Sequence, residues 1–369
     1  MAEDTPDTVA VVGGGAVGTT LAGDLATRGV DVTLFERDTI ASGSSGRAAG
    51  LCYDAYADRR DVELAQRALD RFRTLDVPFE SCPYVILGRD ADTAAAIEDL
   101  AEQMDSRGVD VDLCDGVGLA EQFPALVTED VHVAAVVHNA GVLDARAYTE
   151  AMAERAREMG ASVRTETEVT LTGTATVEAD GHSQAFDSVV VAAGPATKPL
   201  LAGVDVDLPL SCYRAQVLTT DTLDPADRPN VMLFDATDHY YLRPWDDGVL
   251  LGDGVDADVD PRDWNERADS DFLDAGRQRL QGTLGVTAAI EDSWAGLCTA
   301  TPDRDPLVGA VADGLYVATG WYGHGLMRAP AVAEALAARV CGAAGIAGFD
   351  PARFDGSESV DISEQLGIE

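Results

Sequence analysis

A glycine-rich turn near the start of the chain has the residue types and spacing of a dinucleotide-phosphate site. The GxGxxG motif is formed by Gly13, Gly15, Ala16, Val17 and Gly18. Its glycines permit a tight turn, the approach of a pyrophosphate to the backbone, and close packing of a helix on a strand. Glu36 follows Gly18 by 18 residues and is placed to accept hydrogen bonds from both hydroxyls of a ribose. These residues predict a dinucleotide-binding site.

The surrounding sequence predicts the elements that this site requires. A β-branched strand over Thr8–Val12 leads into the turn, and a helix over Ala16–Arg28 follows it. A strand over Val30–Phe35 alternates apolar and polar residues and ends at Glu36. The strand–turn–helix–strand context makes the motif much more specific than the glycines alone.

The rest of the chain predicts a mixed α/β protein. Further helices are expected over Val62–Leu75, Ala91–Ser106, Arg146–Met159, Trp264–Leu280 and Leu326–Val340. Further strands are expected over Val131–Val137, Asp187–Ala192, Arg214–Thr220, Asp238–Arg243, Val249–Gly252 and Leu315–Thr319. The strands between 214 and 252 have no helix between them, which indicates an antiparallel sheet. We therefore expect two interleaved domains: a Rossmann-like cofactor domain over 1–80, 140–205 and 290–369, and a substrate domain over 81–139 and 206–289.

The composition excludes several classes of partner. The 369 residues carry 65 Asp+Glu against 26 Lys+Arg, a formal charge of −39, and Lys198 is the only lysine. Such a charge disfavours binding to nucleic acid and to anionic membranes. The composition, with many carboxylates and one lysine, resembles that of proteins from salt-accumulating halophiles. No apolar run approaches the roughly 20 residues of a membrane span, and the acidic N-terminus predicts a cytoplasmic protein. The six cysteines lie far apart without metal-ligand spacing, so we expect reduced thiols and no metal.

Several segments, in order along the chain, resemble the D-amino-acid-oxidase-like family of FAD enzymes, which includes glycine, sarcosine and dimethylglycine oxidases and dehydrogenases. The main ones are Gly13–Gly18 with Glu36 and Arg37, the Ser42–Leu51 loop, Val189–Gly194, and Gly320–Pro330. Weaker matches are Tyr240–Pro244 and Gly296–Pro306, which contains Thr301, Pro302, Asp303 and Pro306. The resemblance implies an α/β fold in which a Rossmann-type FAD domain is interleaved with an antiparallel-sheet substrate domain that roofs the flavin.

The resemblance also implies which residues bind FAD. Besides the glycine turn and Glu36, they are Arg37, Ser44, Ser45, Arg47, Ala49, Gly50, Leu51, Val169, Ala193, Gly194, Gly323, His324, Gly325, Leu326 and Met327. We expect Ser44, Ser45 and Arg47 to donate hydrogen bonds to the phosphates and the ribityl chain. The backbone N–H groups at Gly323–Gly325 would face the flavin pyrimidine oxygens. Arg47 replaces the histidine to which one branch of the family attaches its flavin, so we expect non-covalent FAD.

Four residues are expected to act on the substrate: Tyr241, Arg243, His324 and Arg328. Strand alternation places His239, Tyr241 and Arg243 on one face, and the resemblance implies that Tyr241 points into the substrate cavity. Arg243 is expected either to bind a substrate carboxylate or to pair with surface acids such as Asp246 and Asp247. For Arg328 the alternatives are carboxylate binding and a solvent-facing position at the start of a helix. His324 contributes through its backbone or its imidazole.

Departures from the family pattern narrow the range of substrates that we expect. Met327 and Cys52 stand where the sarcosine-oxidase branch has a lysine and an arginine, and glycine-oxidase-like enzymes have an arginine near Cys298. The usual carboxylate anchors are therefore missing, which argues against simple sarcosine or glycine. Leu250 stands where the oxidases carry a lysine that promotes reaction with oxygen, so we expect a dehydrogenase or a slow oxidase.

The expected activity is oxidation of the C–N bond of an amino acid or N-methylated amine, by hydride transfer to flavin N5 and hydrolysis of the resulting imine. The alternatives are a 2-hydroxy-acid dehydrogenase on the same fold, a flavin subunit of a larger complex, and, from the first motif alone, an NAD enzyme. The electron acceptor and the oligomeric state stay open, with a homo-oligomer as one possibility.

Overall fold

A computed structural model describes residues 5–256, 259–355 and 358–362. The strands are β1 (Thr8–Val12), β2 (Asp31–Phe35), β3 (Leu51–Tyr53), β4 (Phe79–Ser81), β5 (Tyr84–Gly88), β6 (Val111–Cys114), β7 (Val133–Val137), β8 (Ala140–Leu143), β9 (Ser162–Arg164), β10 (Val169–Gly173), β11 (Thr176–Ala179), β12 (His182–Ala185), β13 (Ser188–Val191), β14 (Ser211–Thr220), β15 (Met232–Asp235), β16 (Tyr240–Trp245), β17 (Gly248–Asp256), β18 (Ile290–Ala300), β19 (Leu307–Ala312) and β20 (Leu315–Thr319). The helices are α1 (Ala16–Thr27), α2 (Arg59–Thr74), α3 (Ala91–Ser106), α4 (Gly116–Gln122), α5 (Ala145–Glu158), α6 (Thr197–Leu201), α7 (Ser270–Leu284) and α8 (Gly325–Val340).

The first large sheet carries the predicted dinucleotide turn. Its strand order is β19-β20-β13-β1-β2-β9, and β1 pairs in parallel with both β13 and β2. Helix α1 packs against α5 and α8, and Leu21, Tyr148 and Val332 from these helices share one buried core. The predicted strand–turn–helix–strand opening is confirmed. The order of the strands places the turn after β1 at the centre of the sheet edge, between β13 and β2.

The second large sheet has eight strands in the order β18-β14-β17-β16-β15-β5-β7-β6. Its pairs are antiparallel except for β15 with β5. The antiparallel sheet expected from the strands between 214 and 252 is therefore present. Strand β18 pairs along its length with β14, so residues 290–300 extend this sheet and do not belong with the cofactor domain, to which the sequence analysis assigned them. The chain is a mixed α/β protein with the expected interleaving of the two sheets.

Helix α7 begins six residues later than the sequence pattern predicts. The apolar periodicity indicated a start at Trp264, whereas the helix runs from Ser270 to Leu284. The buried side chain of Arg214 donates to the Asn265 carbonyl (2.8 Å) and pairs with Asp269 (2.8 Å). These long-range bonds hold the segment from 264 to 269 against β14 and prevent it from joining the helix.

Two smaller three-stranded sheets complete the architecture, with strand orders β10-β11-β12 and β3-β8-β4. The Ser42–Leu51 loop, which we call the Ser–Gly loop, ends at the first residue of β3. Strand β3 pairs with β8, and this pairing anchors the end of the loop. Across the described part of the chain, no helix has the length and apolar character needed to cross a membrane.

Candidate active site

A cavity of about 1230 Å³ runs between the two large sheets and receives residues from both. It extends from the turn after β1 to the start of α8 and to the inner face of the eight-stranded sheet. Of the predicted site residues, all line this cavity except Gly18 and Arg243. The structure therefore brings together residues that lie more than 300 positions apart in the chain.

The glycine turn forms one end of the cavity. Gly14 donates its N–H to Glu36 Oε2 (2.7 Å), and Asp38 donates to Oε1 (2.9 Å), so Glu36 is held beside the turn. Ala16 donates its N–H to Ser45 Oγ (2.9 Å), which joins the Ser–Gly loop to the first turn of α1. A Cβ on Gly18 would collide with the Gly13 carbonyl, and this explains why Gly18 serves the packing of helix on strand and does not line the cavity.

The loop over Ser44–Arg47 is a short 3₁₀ turn that docks on β18. Ser44 donates to the Leu297 carbonyl (2.6 Å), and Trp294 donates to the Arg47 carbonyl (3.0 Å). The Arg47 guanidinium donates to the Ala295 carbonyl (3.0 Å) and pairs with Glu266 (2.7 Å). In this arrangement protein acceptors occupy the guanidinium, so the expected bond from Arg47 to a phosphate stays a prediction.

Other predicted cofactor residues continue the wall between these two regions. Arg37 is exposed and pairs with Asp38 (3.2 Å). Val169 is buried, and Gly194 has a left-handed backbone with no atom within 4 Å of where a Cβ would stand. The remaining wall residues are Ala49, Gly50, Leu51 and Ala193.

The start of α8 forms the wall opposite the glycine turn. His324 is the residue before the helix, and no side chain caps the helix at this point. Its Nε2 lies 3.5 Å from the Tyr53 hydroxyl, and its Nδ1 lies 3.4 Å from the Tyr56 hydroxyl. Burial and the nearby charge of Arg328 lower the pKa of His324 to about 3, so the imidazole is neutral at physiological pH.

Arg328 lies one turn into α8 and does not face solvent. Its side chain is 8% exposed, and its Nη2 lies 3.1 Å from Asp61 Oδ1. The guanidinium also stands over the Tyr56 ring, 5.1 Å from the centroid. The solvent-facing position that was one expectation is therefore wrong, because Asp61 of α2 supplies a buried partner. Arg328 contributes to the cavity wall as one member of an ion pair.

Tyr241 points into the cavity from β16, as expected. It lies opposite Gly252 of β17, where any Cβ would collide with the tyrosine ring. Tyr213 and Cys298, on the paired strands β14 and β18, line the cavity beside it. Burial raises the pKa of the Cys298 thiol to about 11, so the thiol is protonated and unreactive at neutral pH. His239 has a left-handed backbone in the turn before β16, so it does not continue the strand alternation.

Arg243 is the most unusual charge near the site. It is 5% exposed, its Nε has no hydrogen-bond partner, and its Nη1 donates only to the Pro244 carbonyl (3.2 Å). Burial lowers the pKa of Arg243 to about 10. Asp247 instead pairs with Arg228, so the expected pairing of Arg243 with surface acids is wrong. The guanidinium lies just behind the cavity wall, with Nη2 3.4 Å from where a Cβ on Gly50 would stand.

Leu250 stands at the position where the oxidases of the family carry a lysine. It is fully buried and lies directly across from Arg243 in the β16–β17 pair. It is not part of the cavity wall.

Sequence reasoning missed four tyrosines that line the same cavity: Tyr53, Tyr56, Tyr84 and Tyr213. Tyr53 stacks on Tyr84 with ring centroids 4.2 Å apart and planes 2° from parallel. Tyr53 and Tyr56 directly follow the Ser–Gly loop, so their position was a usable signal. Tyr84 comes from β5, and nothing local in the sequence connects it to the site.

The residues that line the cavity fit a dinucleotide cofactor that carries a second aromatic ring system in addition to its adenine. The first turns of α1 and α8 both open into the cavity, and neither helix has a capping side chain on its N-cap residue. Uncapped helix N-termini favour negatively charged groups. In the ranges that the structure describes, no group of acidic, histidine or cysteine side chains could hold a metal ion.

Comparisons with known proteins agree with this geometry. A sequence profile of the DAO family, described as FAD dependent oxidoreductase, matches residues 8–339. The chain is 27% identical over 376 residues to 4-methylaminobutanoate oxidase (formaldehyde-forming) of Paenarthrobacter nicotinovorans, covering 94% of this chain and 44% of that protein. The chain thus spans about half the length of this curated relative.

Two solved structures have closely similar folds. L-proline dehydrogenase from P. horikoshii superposes with a TM-score of 0.87 at 26% identity, covering 97% of this chain and 100% of that one. Glycine oxidase from Geobacillus kaustophilus superposes with a TM-score of 0.85 over 95% of this chain and 100% of that one. The identity to the glycine oxidase is 23%, so this likeness concerns the fold alone.

Proposed function

This chain belongs to the DAO family of FAD dependent oxidoreductases, and we propose that it oxidises the C–N bond of a small amine or amino acid. The observation that carries the proposal is the single cavity that joins the glycine turn of α1 to the tyrosine-rich wall at the start of α8. A dinucleotide with a flavin ring spans such a cavity, whereas a substrate pocket alone would not need the glycine turn.

We assign the parts of FAD to the walls of the cavity. The turn at Gly13–Gly15 and the first turn of α1 hold the pyrophosphate. Glu36 accepts hydrogen bonds from the adenosine ribose while keeping its own bond from Gly14. The backbone around Gly323–Gly325 faces the pyrimidine edge of the flavin, where the dipole of α8 stabilises negative charge.

The chemistry that bound FAD would supply is acceptance of a hydride from the substrate carbon, and water would hydrolyse the resulting imine. Tyr241, supported by Gly252, presents its ring and hydroxyl to the substrate side of the cavity. His324 is neutral, so it does not repel an ammonium group, and its ring nitrogens lie near the hydroxyls of Tyr53 and Tyr56.

An anaerobic substrate panel tests the proposal. The purified holoprotein is mixed with N-methylated amines, D- and L-amino acids and 2-hydroxy acids, and flavin absorbance is followed near its visible maximum. We expect bleaching by members of the first two groups. Bleaching by 2-hydroxy acids alone would make the protein a hydroxy-acid dehydrogenase. Failure of every small substrate, together with a co-purifying partner, would instead indicate a subunit of a larger complex.

We expect the FAD to be non-covalent. Arg47 stands where one branch of the family attaches flavin through histidine, and the Cys298 thiol is protonated. Acid precipitation should release yellow flavin into the supernatant. Colour that stays with the precipitated protein would contradict this prediction.

The proposal includes a cytoplasmic location and leaves the oligomeric state open, with a homo-oligomer as one alternative. Fractionation of the source cells tests the first of these features. Light scattering on the purified holoprotein tests the second.

A further inference from the structure

We infer that the preferred substrate is an amine whose positive charge is not balanced by a carboxylate on the neighbouring carbon, and that the faces of tyrosine rings bind this charge. The inference rests on the proposed function and narrows its substrate class. It follows from two features of the cavity near the start of α8. Aromatic rings line this region, and few hydrogen-bond donors are available there for a carboxylate.

One wall of this region consists of aromatic rings. Tyr53 and Tyr56 have ring centroids 5.8 Å apart. His324 presents its ring edge-on to both, with centroid distances of 6.3 and 5.9 Å and planes 79° and 76° apart. Tyr84 stacks behind Tyr53. Tyr53 and Tyr56 thus lie beside His324, the residue before α8, where we assign the pyrimidine edge of the flavin. The Arg328 guanidinium already covers one face of Tyr56, 5.1 Å from the ring centroid.

Further rings line the cavity from strands β14 and β16. The hydroxyl end of the Tyr241 ring packs against Gly252, where no Cβ could be accommodated. Tyr213 lies 6.1 Å from Tyr322, and its hydroxyl is 3.6 Å from where a Cβ on Gly323 would stand. Tyr53, Tyr56 and Tyr213 therefore all lie beside the segment Gly323–His324. Aromatic ring faces attract ammonium and N-methyl ammonium groups, and several rings together recognise such cations selectively.

The cavity offers few donors for a carboxylate. Among its arginines, Arg37, Arg47, Arg262 and Arg328 already pair with Asp38, Glu266, Asp260 and Asp61. Arg304 is engaged as well. Burying a carboxylate without free donors is costly, and a competing protein carboxylate would have to be displaced first.

Arg243 is the one buried arginine near the site that could instead bind a substrate carboxylate. No carboxylate lies within ion-pair distance of it in the described ranges, so it would be the natural partner for a substrate carboxylate. However, it lies behind Gly50 and is not part of the cavity wall. A substrate carboxylate would reach the guanidinium only if the strand β3 segment moved. We therefore assign substrate recognition to the rings and not to this charge.

Matched probes separate the two possibilities. Tetramethylammonium, trimethylglycine and acetate are titrated into the oxidised holoprotein, and the perturbation of the flavin spectrum gives each dissociation constant in the same high-salt buffer. We expect tetramethylammonium to bind about tenfold more tightly than either carboxylate-bearing probe, as befits a desolvated cation–π site. Tighter binding of acetate or trimethylglycine would overturn the inference.

Variants test the source of the binding. Tyr241→Phe keeps the ring face and should change tetramethylammonium binding less than about threefold, while Tyr241→Leu should weaken it by about tenfold. Arg243→Gln removes a cation that acts on Tyr241, so it should not weaken tetramethylammonium binding. Equal losses in Phe and Leu variants, or a large loss in the Arg243 variant, would contradict the assignment. Flavin content and melting temperature confirm that each variant is folded.

Substrate pairs then distinguish this inference from the proposed function. N-methylpropylamine and sarcosine share the oxidisable N-methyl amine and differ in the carboxylate. Faster anaerobic bleaching by N-methylpropylamine supports the inference. Faster bleaching by sarcosine overturns the inference and leaves the proposed function intact. Bleaching by 2-hydroxy acids alone overturns both.

Discussion

At the scale of single residues, Glu36 has two tasks that the structure connects. Its carboxylate accepts the N–H groups of Gly14 and Asp38, and its position beside the glycine turn suits it to bind ribose hydroxyls. Glu36→Ala should therefore weaken FAD binding by about 1.5–3 kcal/mol, the range for hydrogen bonds to a charged group. The measurement is the fluorescence of the flavin that dissociates from the protein on dilution. Glu63→Ala, which removes an exposed carboxylate that does not line the cavity, is the matched control, and equal retention of FAD in both variants would contradict the assignment.

His324 should also make stability depend on pH. Because burial lowers its pKa to about 3, the folded protein keeps it neutral at pH values where the unfolded chain, with a pKa of about 6.5, takes up a proton. The unfolded state then binds more protons, so the free energy of unfolding falls as pH decreases below about 6.5. The loss attributable to His324 is about 1 kcal/mol between pH 6.5 and 5.5.

Urea unfolding of the wild-type protein and of His324→Gln at these two pH values measures this contribution. The variant should lose about 1 kcal/mol less than the wild type. His182→Gln, which changes an exposed histidine, should behave like the wild type. An identical pH dependence in wild type and His324→Gln would show that the imidazole titrates normally in the folded protein.

At the scale of elements, the sequence predicted what local periodicity determines. The turn after β1, helix α1 and most of α8 follow from glycines and apolar spacing within about 30 residues. The start of α7 was wrong because Arg214, more than 50 positions earlier, holds residues 264–269. The same limit applies to the site: the pairing of Arg328 with Asp61 and the contribution of Tyr84 depend on contacts between distant segments.

The β16–β17 pair carries the prediction about the electron acceptor. Leu250 and Arg243 face each other in this pair, so a buried apolar residue stands beside a buried cation. Without a lysine at position 250 we expect reduced enzyme to react with oxygen more slowly than with an indophenol dye. Stopped-flow reoxidation compares the two acceptors. Reoxidation by oxygen as fast as dye-linked turnover would mean that another group, with Arg243 the first candidate, supplies the positive charge.

The obvious gain-of-function variant has a physical obstacle. Leu250→Lys would place a second cation beside Arg243, which already lacks a carboxylate partner, so the like charges would destabilise the strand pair. The double variant Leu250→Lys/Arg243→Met removes this repulsion and is the better test. We expect it to fold and to react with oxygen faster than Arg243→Met alone.

At the scale of the whole molecule, the charge of −39 dominates. Many arginines already pair with carboxylates, including the buried pair Arg328–Asp61 and the half-buried pair Arg71–Asp24. The remaining acids are spread along the chain and have few cations to neutralise them. Exposed ion pairs contribute only about 0–1 kcal/mol each, so they do not offset the mutual repulsion of so many carboxylates.

Stability should therefore rise with salt concentration. The Debye length falls from about 8 Å at 0.15 M to about 3 Å at 1 M, which screens repulsion between surface carboxylates. Buried pairs such as Arg328–Asp61 are screened much less, so the site itself keeps its geometry. Each kcal/mol gained raises the melting temperature by about 1–2 °C for a chain of this length, because the unfolding entropy is about 2.1 cal/mol/K per residue. Thermal unfolding in increasing KCl measures the effect, with sucrose as an uncharged control that stabilises through exclusion from the protein surface. A melting temperature that is the same in dilute buffer, or one that rises equally in sucrose, would show that charge repulsion does not limit the stability of this fold.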